Sequence, residues 1–305
     1  MRVSAVISYI VAAAVTAPTA RGSAGDMNYD YRRCLRHCQK NCNPEDIPAL
    51  RQYLLWNCEG ECQYDCMHEV ARWVQEEYAV TWKFYGHWPY LRIWGLQEPA
   101  SVAFSLGNML PHIHNLLYNR EKFCQPGVRF GHHILMYSVV ALLAWAASAV
   151  FHARKIDPFI SCDYAFAFLF ISYGLWIAVS RLWWEIRGDR DRWTKTVFDV
   201  CCAGRVVYQV IYTLNGTIPF QDHMNLSIGL SVLHAVSWLL FICFSNSRSK
   251  LFCLLCQAWF GAASLLELYD FPPYMGILDA HALWHAATIP LGFLWFRFWI
   301  QDAEY

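Results

Sequence analysis

Seven apolar stretches lie between residues 99 and 299, at approximately 99–118, 133–152, 163–180, 196–214, 224–244, 251–269 and 280–299. A helix needs roughly 20 apolar residues to cross a bilayer, and only helices or closed barrels satisfy their backbone polar groups inside one. The pattern predicts an all-α, polytopic membrane protein built on a seven-transmembrane-helix bundle. Composition agrees, because 56% of the 305 residues are hydrophobic and 16% charged, too apolar for a soluble enzyme of this length. A formal net charge of +0 provides no basic field for nucleic acid, which drops out as a partner. The first stretch carries the weakest pattern, since Asn108, Pro111, His112 and His114 interrupt it.

Upstream, Arg2 precedes an apolar run over residues 3–15 and then the small residues Ala17, Ala20, Ser23 and Ala24. That order is the one of a cleaved secretory signal, and the run is too short to span. Residues 1–24 are assigned to a signal peptide cut between Ala20 and Ala24, which starts the mature chain in the lumen. Seven crossings then leave the C-terminus in the cytosol. Basic residues provide an independent check on that orientation. The expected cytosolic loops hold Arg120, Lys122, Arg129, Arg181, Arg187, Arg190, Arg192, Lys195, Arg248 and Lys250, whereas the expected luminal loops hold only Arg154 and Lys155. Two glycosylation patterns, at Asn215 and Asn225, fall near an expected luminal loop and are compatible with this topology.

Residues 25–96 read as a luminal cysteine-rich domain and interfacial aromatic segment, and residues 97–305 as the membrane domain. Six of the 13 cysteines form two runs, Cys34, Cys38, Cys42 and Cys58, Cys62, Cys66, each at helical i,i+4 spacing. Two short helices folded back on each other would bring Cys34 to Cys66, Cys38 to Cys62 and Cys42 to Cys58. Six cysteines allow many pairings and sequence alone does not choose among them. An oxidising lumen favours disulfides, with a zinc cluster or unpaired thiols as alternatives. The aromatic stretch Trp82, Phe84, Tyr85, Trp88, Tyr90 and Trp94 suits a headgroup boundary.

Ionisable residues within lipid-length helices are costly and commonly functional. Ser148 and His152 close the second stretch and His281 and His285 open the seventh, each pair on one helix face; Asp163 starts the third. Under the predicted topology His152, Asp163, His281 and His285 lie at similar depth near the luminal face, and Ser148 sits one turn deeper on the face of His152. Three imidazoles leaving a fourth position open form a catalytic zinc arrangement, and zinc acidifies water and polarises a carbonyl. Asp163 would then move a proton and Ser148 would bond a developing oxyanion. The simpler alternatives are a helix N-cap for Asp163 and a bond to its own helix for Ser148. Glu267, Asp270 and Asp279 are candidates to orient a ligating imidazole or, equally, loop charges. His112, His114, His132 and His133 fall toward the other face, where packing or headgroup contact is expected.

Ser148-x3-His152, Asp163 and His281-x3-His285 together resemble the superfamily of seven-helix membrane hydrolases that includes alkaline ceramidases and the adiponectin receptors. More narrowly, the cysteine runs resemble those of the post-GPI-attachment lipid-remodelling proteins, as do Gly86-His87-Trp88-Pro89, Gln97-Glu98-Pro99-Ala100-Ser101, Leu265-Leu266-Glu267-Leu268-Tyr269-Asp270-Phe271-Pro272-Pro273 and Leu278-Asp279-Ala280-His281-Ala282-Leu283-Trp284-His285. The family pattern has a lysine where this chain has His87. The resemblance implies a Golgi or endoplasmic reticulum hydrolase that removes the sn-2 acyl chain from the phosphatidylinositol of GPI-anchored proteins. It also implies that His152, His281 and His285 ligate Zn2+ while Asp163 and Ser148 support catalysis. A ceramidase-like amide hydrolase and a non-enzymatic receptor or chaperone for GPI-anchored cargo are the alternatives.

Overall fold

The computed structural model describes residues 23–188, 192–216 and 220–304. The expected signal peptide therefore lies almost wholly outside the described residues. The chain divides into two compact units: one takes the described residues up to Glu98 together with Phe271–Asp279, and the other takes Pro99–Asp270 and the residues from Ala280 onward. Among the described residues the structure is helical, apart from turns, loops and three isolated bridge pairs.

In the first unit, α1 (Tyr29–Asn41) and α2 (Cys58–Tyr78) lie together, each started by an asparagine whose side chain accepts from backbone N–H groups of its first turn. Disulfides join Cys34 to Cys66, Cys38 to Cys62 and Cys42 to Cys58, the nested order that two i,i+4 stripes permit. Tyr31, Val70, Val74 and Phe84 form a small buried core beside them. Such a core is too small to hold a unit of this size unaided, and three cross-links offset the deficit by restricting the unfolded chain. Arg92 bonds Glu61 through two nitrogens, each at 2.9 Å, and lies over the rings of Trp56 and Tyr64. Burial alone would push the Glu61 carboxyl up, but Arg92 and Arg51 hold it below its ordinary value. The segment Phe271–Asp279 joins this unit through Leu91 N–H donating to Gly276 O at 2.8 Å and Tyr90 O–H donating to Asp279 at 2.6 Å.

Seven long helices make the second unit: α3 (Pro99–His114), α4 (Gly131–Ala153), α5 (Asp157–Arg187), α6 (Arg192–Leu214), α7 (Phe220–Phe244), α8 (Lys250–Tyr269) and α9 (Ala280–Ala303). Neighbouring pairs close a ring in the order α3, α4, α5, α7, α8, α9 and back to α3, with α6 packed on α5 outside it. Five of them, α4 to α8, are long and apolar enough to cross a membrane by length and composition. The protein is a multi-pass membrane protein. The two helices below that measure, α3 and α9, both place polar residues in the site described next, as do α4, α5 and α8. Interruption of α3 was expected; it instead runs through Pro111 and then widens into a π-helical turn at Asn115–Asn119.

The third apolar stretch departs from its expected limits. Pro158 in the first turn is preorganised for a helix start, and α5 begins at Asp157 rather than at 163. Asp163 is thus inside the helix, which removes the N-cap reading. Asn225 lies near the start of α7 and is half-buried, in keeping with its place in the 224–244 stretch. Asn215 is exposed just after α6, and Thr217 of its pattern lies outside the described residues.

Candidate metal centre

His152 occupies the last turn of α4, and His281 and His285 the first two turns of α9. The i,i+4 spacing puts the latter two on one face, with their Nε2 atoms 2.9 Å apart. The ring of His152 lies 5.2 Å from that of His281 and 5.1 Å from that of His285, centroid to centroid. One ligand atom from each of the three falls within 4.8 Å of the others. His152 and His285 are buried and His281 is half-buried. These three side chains could hold a metal ion, and they come from two helices far apart in the chain.

Around them the ring of helices supplies the remaining polar groups. Glu267, on the last turns of α8, accepts from Nδ1 of His281 at 2.8 Å. An ionised carboxylate only accepts, so Nδ1 carries the hydrogen and Nε2 is directed to the cluster. Of the three acidic residues singled out near this face, the structure selects Glu267. Asp279 instead takes the Tyr90 hydroxyl, and Asp270 ends α8 in a left-handed conformation. Asp163, half-buried on α5, interacts electrostatically with His281.

Ser148 lies one turn before His152 and is buried; its Oγ is 3.1 Å from Oγ of Ser105 on α3. The back-bond to its own helix is therefore not what the hydroxyl makes. One turn further along α3, Asn108 donates to the carbonyl of His285 at 2.7 Å. Ser105 and Asn108 escaped the sequence reading, which treated Asn108 only as an interruption of an apolar run. Their signal was the spacing of Ser101, Ser105, Asn108 and His112, which puts four polar residues on one face of the helix. His112, placed in the sequence away from the cluster, is buried among Tyr137, Phe170 and Phe296. His114 packs on Tyr118 and Phe293.

The arrangement can bind a cation through neutral imidazoles, hold a carboxylate next to one of them and offer hydroxyl hydrogens from a neighbouring helix. All of it sits at one end of a bundle of apolar helices. The profile of the family described as Per1-like matches residues 48–303. Among similar proteins, post-GPI attachment to proteins factor 3 of Drosophila melanogaster is 32% identical over 307 residues, covering 95% of this chain and 92% of its own. A protein of Cricetulus griseus named GPI-specific phospholipase A2-like PGAP3 is 31% identical over 303 residues, with the same coverage of 95% and 92%. The Homo sapiens protein of that name is 29% identical over 307 residues, covering 97% and 94%. No solved structure matches the chain.

Proposed function

Because this chain belongs to the Per1-like family, we propose that it is a membrane-embedded, zinc-dependent hydrolase that removes the sn-2 acyl chain from the phosphatidylinositol of GPI-anchored proteins. The observation that carries the reading is the convergence of His152, His281 and His285 at one end of the bundle. Three imidazoles are the donor set of a catalytic zinc site with an open fourth position. Zinc held there would supply Lewis acidity, polarising an ester carbonyl and lowering the pKa of a water toward about 7.

The chain's own residues do the rest. Asp163 takes the proton of the attacking water and delivers it to the departing glycerol oxygen, as one carboxyl can do in both directions. The Ser148 hydroxyl donates to the carbonyl oxygen as negative charge develops on it. The new bond joins the water oxygen to the acyl carbon and the sn-2 C–O bond breaks, giving a fatty acid and a lyso-GPI. Glu267 holds the His281 ring in orientation. We place the site near the luminal leaflet, with the N-terminus luminal and the C-terminus cytosolic, in the Golgi or the endoplasmic reticulum. The support for the orientation is the distribution of basic residues. The sn-2 ester lies just below the headgroup, so a site one turn inside the hydrocarbon edge reaches it without extracting the lipid.

The test is lyso-GPI formation by the purified protein in lipid nanodiscs, with zinc measured on the same sample. His281→Ala should abolish release of the fatty acid and lower bound zinc while the protein remains folded. Retained deacylation would overturn the reading. Ceramide offered in parallel should not be cleaved, and cleavage in preference to the GPI lipid would point to an amidase instead.

A further inference from the structure

Helix α3 takes no part in the reaction as set out above, yet it touches the site twice. Ser105 and Asn108, one turn apart and both buried, face inward, while Leu106, Leu110 and Ile113 are exposed. The approach to α9 is close because a glycine on each helix leaves room for a side chain of the other. A Cβ on Gly107 would fall 2.6 Å from Cδ1 of Ile289, and one on Gly292 would fall 2.6 Å from Cγ of Pro111. Glycine contacts of this kind let helix backbones meet in a membrane. Asn108 uses the proximity to donate both to the carbonyl of Phe104, at 3.0 Å, and to that of His285, at 2.7 Å.

The contact between Ser105 and Ser148 has a consequence for hydroxyl direction. A serine inside an apolar helix ordinarily satisfies its single hydrogen on a carbonyl one turn back. Ser138, Ser237 and Ser264 in this bundle do so. Ser148 does not; its oxygen faces Ser105 Oγ at 3.1 Å. When Ser105 donates, Ser148 accepts, and its own hydrogen is left for an oxygen in the site. Without Ser105, the ordinary acceptor for a serine in a helix is a carbonyl one turn back, which would turn the hydrogen away.

We propose that Ser105 is a positioning residue that holds the Ser148 hydroxyl with its hydrogen directed at the substrate carbonyl oxygen, while Asn108 fixes the backbone of His285 from the same helix face. The proposal rests on the esterase reading above. It assigns to α3 the job of aiming a donor rather than touching the lipid. Two hydroxyls in series also polarise each other, which strengthens the terminal bond.

The experiment compares wild type, Ser105→Ala, Ser148→Ala, the double variant, Ser105→Thr and Ser105→Cys, all full length in nanodiscs. Three readouts are taken on each: kcat and KM for a GPI lipid, bound zinc, and the infrared stretch of a carbon-13 labelled sn-2 carbonyl bound in an Asp163→Asn background. Ser105→Ala should lower kcat about tenfold to a hundredfold with KM and zinc unchanged. The double variant should be no slower than Ser148→Ala, because the two act through one bond. Threonine should restore the rate, and cysteine, of similar size and a poor donor, should not. The carbonyl stretch should lose its downshift in both single variants. Losses that multiply in the double variant, full activity with cysteine, or an unchanged carbonyl stretch in Ser105→Ala would each overturn the proposal. A wild-type downshift without hydrolysis would sink the esterase reading and leave the placement of Ser105 standing.

Discussion

The two ends of α9 are built from the same kind of expensive residue and use it in opposite ways. Near its C-terminus, Asp302 accepts from Arg181 at 2.7 and 3.0 Å and from the Ser249 hydroxyl at 3.0 Å, while Arg181 also donates to Glu185 at 2.6 Å. Arg181 is 1% exposed, and its guanidinium lies over the rings of Trp184 and Phe241. One guanidinium there bridges two carboxylates, so each charged group faces one of opposite sign. Near the N-terminus, His281 and His285 turn like atoms toward each other, and the ring of His152 comes to the same place. Burial of polar groups is common to both ends; at one, groups of opposite charge pair, and at the other, three like rings converge on a shared point.

That contrast can be broken most directly by His285→Ala. On the proposed function, this variant should lose zinc, measured by elemental analysis, and more than about 10³-fold of the deacylation rate. Its fold should persist, since Asn108 and Thr288 bond the backbone carbonyl of residue 285 and not its ring. Arg181→Ala attacks the ion-paired end and should do the reverse. Leaving Asp302 and Glu185 buried without their partner should cost about 3–5 kcal/mol of stability in a denaturation assay, with zinc per folded molecule unchanged. Replacing Arg181, Glu185 and Asp302 together by Met, Leu and Leu should recover most of that loss.

Smaller effects sharpen the comparison. Glu267→Gln keeps an acceptor oxygen but removes the charge behind His281, and competition with a chelator should show zinc held about 10–100-fold more weakly. The smallest change is expected away from the bundle, in the first unit, where Glu61 with Arg92 and Arg51 forms a second ion-paired cluster. Its carboxyl is held below the ordinary value, so its contribution is present above the usual carboxylate range and is lost as pH falls through the lowered value. Unfolding followed by the fluorescence of Trp56, which stacks on Arg92, should therefore weaken on acidification, and Glu61→Gln should flatten that slope.

Much of this was legible in order of residues. Apolar length announced the helices, and i,i+4 spacing announced both the paired thiols and the histidine faces, because those signals are local and repeat with the helix period. The start of α5 was misjudged because Asp157 and Pro158 look like loop when only hydropathy is read, although Pro is favoured in a first turn. Glu267 could not be told from Asp279 without coordinates. Both lie within about one turn of a helix end near His281, and only the path of Phe271–Asp279 assigns one to the histidine and the other to Tyr90.

Order of residues alone settled that the chain is helical, that it belongs in a membrane and which side chains are too costly to bury without a purpose. Each of those follows from transfer free energy summed along a single segment. The tertiary structure decided which of the costly groups meet: that α9 comes against α3 through Gly107 and Gly292, that Ser105 faces Ser148, and that Arg181 closes on Asp302. Contacts between distant segments depend on crossing positions and axial offsets of whole helices, and no periodicity within one helix carries that information.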